Sequence, residues 1–140
     1  MELTNKTAVV TGASRGIGRY IVDALTKQGV NVIGIARTED GLLTTKQHVL
    51  KNQGQFDYIC FDLSDICNVS SLVNDIYTIS NSIDIIVNNA GIEEYQHYYK
   101  ISQLQLDSIL KVNLHAPMEL VRNMLPRMLE NDFEGSIVNI

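Results

Sequence analysis

The stretch that decides the fold is Thr11-Gly12-Ala13-Ser14-Arg15-Gly16-Ile17-Gly18. An apolar, β-branched run at residues 7–11 leads directly into it, and from Ile17 apolar residues recur at helical spacing as far as Gly29. A glycine-rich turn between a buried strand and a helix brings free backbone N–H groups and the positive end of the helix dipole to one point. We therefore expect this loop to hold an anionic phosphate group.

The three glycines of the loop have different expected roles. Gly12 permits the tight turn after the strand, Gly16 lets the backbone approach a diphosphate, and Gly18 lets the helix pack closely on the strand. A Walker A loop is excluded, because no Lys-Ser or Lys-Thr pair follows the last glycine. The alternative of a connector that binds nothing stays open, although it leaves the placement of the glycines between strand and helix unexplained.

Outside the loop, runs of strand length alternate with segments of helical spacing. The predicted strands are residues 7–11, 30–35, 58–61, 83–87 and 136–140. The predicted helices run from Ile17 to just before Gly29 and over residues 42–50, 66–79, 102–112 and 117–130. The strand runs are continuous rather than alternating, which is typical of strands buried on both faces. This order predicts a doubly wound, Rossmann-like α/β fold with a parallel sheet in the order 3-2-1-4-5.

Local signals refine the predicted helices. Ser64 or Asp65 is expected to cap the third helix and Ser102 the fourth. Pro126, inside the last helix, removes one backbone donor and predicts a kink. The ligand crevice of such a fold lies at the carboxyl ends of strands one and four, where the winding reverses.

Length and composition restrict the alternatives. The chain has 140 residues, so we expect residues 1–140 to form one domain. A net charge of -5 without a basic run argues against nucleic acid or an anionic membrane as a partner. Without an apolar run of membrane-spanning length or a signal-peptide pattern, we expect a cytoplasmic protein. Two cysteines and three scattered histidines predict no metal site.

The loop and several later motifs resemble the short-chain dehydrogenase/reductase family. The later motifs are Asp62-Leu63, Asn88-Asn89-Ala90-Gly91, Val112-Asn113-Leu114 and Gly135-Ser136-Ile137-Val138-Asn139-Ile140. The sequences of these motifs are most similar to those of the 3-oxoacyl-[acyl-carrier-protein] reductase branch, and the resemblance covers the whole chain. It implies an oxidoreductase that acts on a carbonyl or alcohol substrate with a nicotinamide dinucleotide.

The resemblance also implies roles for matching positions. Those expected to hold the phosphates and the adenosine ribose are Gly12, Ser14, Arg15, Gly16, Ile17 and Gly18. Asp62, beside Leu63, would contact the adenine, and Asn89, Ala90 and Gly91 would line the nicotinamide side. Asn113 would hold a water of the proton relay behind the catalytic lysine. The alternatives are a helix cap for Asp62 and a residue that stabilises a helix kink for Asn113.

The choice of cofactor depends on the end of strand two. An NAD site places an acid about 20 residues past the glycines to bind the ribose 2′-OH, whereas an arginine accommodates a 2′-phosphate. Ala36-Arg37 occupies that place, and Arg15 adds a second guanidinium from the loop. The sequence therefore predicts NADP(H) rather than NAD(H), with a solvated surface arginine as the alternative for Arg37.

The catalytic pair of the family is missing from the chain. In the family a tyrosine four residues before a lysine acts as the proton donor, after a serine that follows strand five. No tyrosine among the 140 residues has a lysine four positions later. We expect a domain that stops after strand five, binds nucleotide and is inactive alone.

A domain that stops after strand five is expected to associate with other chains. Strand five and the helix at residues 117–130 would expose apolar surface, which favours association and leaves a homo-oligomer open.

The second hypothesis for function is a non-catalytic module that binds a nucleotide or a partner. A flavodoxin-like or receiver domain is disfavoured, because neither accounts for both the glycine loop and the motif at residues 88–91.

Overall fold

The computed structural model describes residues 2–130 and 135–140 and contains one parallel sheet among them. Its strands are β1 (Thr7–Thr11), β2 (Asn31–Ala36), β3 (Phe56–Cys60), β4 (Ile85–Asn88) and β5 (Ser136–Asn139). They are ordered β3-β2-β1-β4-β5, and every neighbouring pair is parallel. The predicted fold class and strand order are confirmed.

In the described ranges, five α-helices lie between the strands. They are α1 (Gly16–Lys27), α2 (Glu39–Val49), α3 (Val69–Ile79), α4 (Gln103–Leu110) and α5 (Ala116–Leu129). Short 3₁₀ turns lie at Ile66–Asn68 and Tyr98–Lys100, and a π-helical turn at Lys111–His115 joins α4 to α5. None of the helices in the described ranges has the length and apolarity needed to cross a membrane.

The core has two halves because alternate side chains of each strand point to opposite faces of the sheet. On β1, Val9 packs in the half that includes the buried residues of α3 and α5. Its neighbours Ala8 and Val10 pack in the other half, with Val22 of α1 and Leu42 of α2. The helices therefore cover both faces, as a doubly wound sheet requires.

The expectation that all five strands are buried on both faces is wrong for the two edge strands. The residues of β1 and β4 are all buried, whereas β3 is buried only at Phe56 and β5 is mostly exposed. An edge strand has a neighbour on one side only, so its side chains have fewer residues to pack against.

Of the two predicted helix caps, one is confirmed and the other is wrong. Ser102 caps α4 through a capping box with Gln105, as predicted. The expected cap at Ser64 or Asp65 is wrong, because a 3₁₀ turn precedes α3 and no capping side-chain bond comes from Asp65. The Asp65 carboxylate instead accepts a hydrogen bond from Asn68 at 2.8 Å. Helix α5 continues through Pro126 to Leu129.

Candidate cofactor-binding site

The crevice lies where the fold predicts it, at the carboxyl ends of β1 and β4. A cavity of about 410 Å³ opens there, bounded by the glycine loop, the end of β2, the segment after β3 and the turn after β4. All twelve residues that the sequence predicts for cofactor binding line this one cavity. Asn113 does not line it; its side chain lies in the adjoining groove between α5 and β5.

The glycine loop has the backbone that its three glycines permit. Gly12 and Gly16 have positive φ angles of 69° and 54°, a region that side chains other than glycine rarely occupy. A Cβ at Gly18 would lie 2.1 Å from the Gly12 carbonyl oxygen, so α1 packs directly against the turn. A Cβ at Gly16 would meet nothing within 4 Å, so the backbone there is open to an incoming group.

The N-terminus of α1 faces no competing cap. Arg15 is the N-cap residue, but its side chain makes no capping hydrogen bond, and the first turn contains no acidic residue. The first backbone N–H groups of a helix have no partner within the helix. This end of the 12-residue helix can therefore bind an anion.

Thr11 ties the glycine loop to the turn after β4. Its Oγ1 accepts hydrogen bonds from the backbone N–H groups of Asn89 and Ala90, each at 3.0 Å. The Asn89 side chain donates in turn to the Thr11 carbonyl oxygen at 3.1 Å. Thr11 is 3% exposed, so this small network is shielded from water. Sequence reasoning did not select Thr11, although a polar residue that ends a buried strand was the available signal.

Two arginines line the cavity. Arg15 comes from the loop and Arg37 from the end of β2, and both are exposed. Within residues 2–130 and 135–140, neither guanidinium has a hydrogen-bond or ion-pair partner. Their charges are therefore available to an anionic group.

Asp62 lines the cavity after β3. Its Oδ1 accepts a hydrogen bond from the Ser64 backbone N–H at 2.9 Å, which forms a local turn rather than a helix cap. This bond is the main reason that the pKa of Asp62 is lowered from 3.8, and the positive charge of Arg37 lowers it further. Asp62 is thus a carboxylate at neutral pH and an acceptor for an N–H donor.

Asn113 braces the loop that follows β4. Its Oδ1 accepts from the Ile92 N–H and its Nδ2 donates to the Ile92 carbonyl oxygen, both at 2.9 Å. The residue lies within the π-helical turn at Lys111–His115. A side chain that holds another segment at both of its polar atoms fixes the turn's position relative to the cavity.

Three of the tyrosines have raised pKa values. Burial raises the pKa of Tyr58 and of Tyr77, and the hydrogen bond to Glu93 raises that of Tyr95. An acid–base tyrosine needs a shift in the other direction. Nor does the described part of the chain contain a group of three or more His, Cys, Asp or Glu side chains placed to hold a metal ion.

Comparison with known proteins agrees with this geometry. The family described as short chain dehydrogenase matches residues 6–140. The ketoacyl reductase HetN of Nostoc sp. (strain PCC 7120) is 41% identical over 138 residues, which cover 99% of this chain and 48% of HetN. The 3-oxoacyl-[acyl-carrier-protein] reductase FabG of Buchnera aphidicola subsp. Acyrthosiphon pisum is 34% identical and matches 100% of this chain and 56% of its own.

A solved structure shows the same arrangement. A metagenomic short-chain oxidoreductase in complex with NADP superposes with a TM-score of 0.92 at 30% identity, over 99% of this chain and 63% of its own. The chain belongs to the short-chain dehydrogenase family. It spans about half the length of the curated relatives described above. The resemblance that the motifs suggested is confirmed.

Proposed function

We propose that this chain binds NADP(H) in the cavity at the ends of β1 and β4, as the cofactor-binding part of a short-chain oxidoreductase. The observation that carries the proposal is that one cavity is bordered by a helix N-terminus without a side-chain cap and by the guanidinium groups of Arg15 and Arg37, which make no hydrogen bond or ion pair among the described residues. An anion cradle at the start of α1, with one cation beside it at Arg15 and a second at the end of β2, matches a dinucleotide with an extra phosphate.

The residues fit the diphosphate of such a cofactor. The open space beside Gly16 lets phosphate oxygens approach the backbone, and the close contact of Gly18 with the Gly12 carbonyl holds α1 at the distance that the cradle needs. When bound, a nicotinamide cofactor supplies or accepts a hydride. Thr11 fixes the turn of Asn89, Ala90 and Gly91, and the nicotinamide ring would lie against this turn.

The preference for NADP(H) over NAD(H) follows from the end of β2. An acid there would bind the ribose 2′-OH and repel a 2′-phosphate, but the position holds Arg37. Asp62 would accept from the exocyclic amine of the adenine, which is supported by its position on the lining of the same cavity as Arg37.

The reaction would interconvert a carbonyl and an alcohol, and the 140-residue chain alone would not turn over substrate. Proton transfer to or from the substrate oxygen needs a positioned acid–base group, and no Tyr-x-x-x-Lys sequence occurs in the chain. Asn113 would hold a water of the proton relay, while its side chain fixes the backbone at Ile92.

The second candidate is a nucleotide-binding module without catalysis, and it rests on that same absence. The coding sequence after codon 140 separates the two candidates. A serine followed by Tyr-x-x-x-Lys in frame supports the oxidoreductase, and a stop codon at that point supports the module.

Titration of the purified 140-residue chain with NADPH, followed by nicotinamide fluorescence, tests the cofactor assignment shared by both candidates. We expect saturable binding, and no NADPH oxidation when a ketone is added. A linear, unsaturable response would contradict the assignment of the cavity.

A further inference from the structure

A polar residue is buried in the middle of α2, where the amphipathic pattern calls for an apolar one. Thr45 is fully buried, and its Oγ1 donates a hydrogen bond to the Ala13 carbonyl oxygen at 2.9 Å. The Gly41 carbonyl oxygen, one helical turn earlier, lies 3.1 Å from the same hydroxyl. Thr45 thus binds the second helix to the glycine loop across 32 residues of sequence.

Arg19 of α1 completes this contact from the other side. Its Nε donates to the Thr45 hydroxyl at 3.1 Å, and its Nη2 donates to the Ser14 carbonyl oxygen at 2.5 Å. The successive carbonyl groups of Ala13 and Ser14 are therefore held by two helices at once. Neither Arg19 nor Thr45 lines the cavity.

The start of α2 also touches the loop directly. A Cβ at Gly41 would lie 2.8 Å from the Ser14 Cβ and 3.4 Å from the Thr38 Oγ1. Thr38 is the N-cap residue of α2 and follows Arg37 in the chain. The contact therefore fixes the segment that carries Arg37 relative to the segment that carries Arg15.

We propose that Arg19 and Thr45 are positioning residues that set the separation of Arg15 and Arg37, and thereby the discrimination between a ribose 2′-phosphate and a 2′-OH. The inference rests on the proposed NADP(H) site. Charge-assisted hydrogen bonds from two guanidinium groups to one phosphate require both groups in fixed places, and small displacements of supporting residues weaken such sites strongly. A 2′-OH is uncharged and does not need both guanidinium groups in fixed places.

The test uses two small probes that differ mainly at the 2′ position, 2′,5′-ADP and 5′-AMP, measured by calorimetric titration. Thr45→Val preserves the shape of the side chain and removes its hydroxyl. We expect the ratio of the two affinities to fall by about 5-fold or more, because misplaced guanidinium groups lose charge-assisted bonds to the 2′-phosphate only. Thr45→Ser retains the hydroxyl and should keep the ratio of the unmodified chain.

Thr44→Val is the matched control. Among the described residues, the Thr44 hydroxyl donates to the Asp40 carbonyl within α2 alone, on the exposed side, so its loss should leave the ratio unchanged. If Thr45→Val does not fold, Arg19→Met provides the same test, since it retains the apolar stem and removes both donors.

The outcomes separate this inference from the proposed function. A Thr45→Val chain with a lower melting temperature but an unchanged affinity ratio, or a parallel loss for both probes, would overturn the positioning role alone. An unmodified chain that binds neither probe would overturn the cofactor site, and the inference with it. A lower ratio in Thr45→Val and Arg19→Met, with Thr45→Ser and Thr44→Val unaffected, supports it.

Discussion

Gly16 and Gly18 of the glycine loop differ in the contacts that a Cβ atom at each position would make. The Cβ of an alanine at position 18 would fall within 2.1 Å of the Gly12 carbonyl oxygen, far inside contact distance. At position 16 the space is open, and only the φ of 54° opposes a side chain. A substitution at position 18 therefore tests packing, and a substitution at position 16 tests backbone conformation.

This contrast predicts different outcomes for two alanine substitutions. Gly18→Ala should lower the free energy of unfolding by about 3 kcal/mol, because α1 must move away from the turn. Gly16→Ala should cost only about 1 kcal/mol for the left-handed backbone, yet still weaken NADPH binding by filling the open space. Urea unfolding and NADPH titration measure the two effects, and a larger loss of stability in Gly16→Ala would contradict the account.

The residues that sequence reasoning found and missed follow a physical rule. The twelve predicted cavity residues lie in short contiguous motifs whose spacing reflects one turn or one helix start. Thr11, Arg19 and Thr45 act mainly through hydrogen bonds between segments 26 to 79 residues apart; the local exceptions are Arg19 with Ser14 and Thr45 with Gly41. Periodicity and local propensity contain no information on such pairings, so the partners of these residues emerge only from the folded chain, although Thr11 itself had a local signal as a polar residue that ends a buried strand.

Among the elements, the π-helical turn at Lys111–His115 is one that the sequence did not predict. Apolar spacing placed helices on both sides of it, but a change from i−4 to i−5 hydrogen bonding depends on what the segment contacts. The two bonds between Asn113 and Ile92 supply that contact. Ser102 was predictable because its capping box lies within four consecutive residues.

Removal of the Asn113 side chain should therefore act on this element. Asn113→Ala should lower the free energy of unfolding by about 1 kcal/mol, since two exposed hydrogen bonds are lost. It should also speed hydrogen exchange of the Ile92 amide, which loses its acceptor. Lys111→Ala, an exposed neighbour in the same turn, is the control. Equal exchange of the Ile92 amide in both variants would show that the contact does not hold the loop.

For the whole molecule, the strict alternation of strands and helices made the sheet order predictable, whereas the burial of its edges was not. Order follows from the handedness of the crossovers, but burial depends on what lies beyond the outermost strand. Ile137 and Val138 of β5 are 40% and 43% exposed, and Met118 of α5 is 61% exposed. Ile137 and Met118 line one groove, and Val138 follows Ile137 on the exposed edge strand.

This surface predicts concentration-dependent self-association of the 140-residue chain. Val138→Lys should reduce it, because a charge on an edge strand opposes pairing with another edge. Gln47→Lys, at an exposed position of α2, adds the same charge elsewhere and should leave association unchanged. Sedimentation velocity over a range of concentrations measures the effect, and a chain that stays monomeric throughout would contradict the prediction.

The central claim is that the cavity binds NADP(H) through Arg37, and the ratio of NADPH to NADH affinity tests it most directly. The unmodified chain should prefer NADPH, and Arg37→Ala should reduce NADPH affinity by about 10-fold while NADH affinity stays nearly constant, because only the 2′-phosphate loses a charge-assisted bond. Arg127→Ala, whose guanidinium lies over the Tyr77 ring outside the cavity, is the control and should leave the ratio unchanged. An equal ratio in the unmodified chain and in Arg37→Ala, or a preference of the unmodified chain for NADH, would contradict the claim.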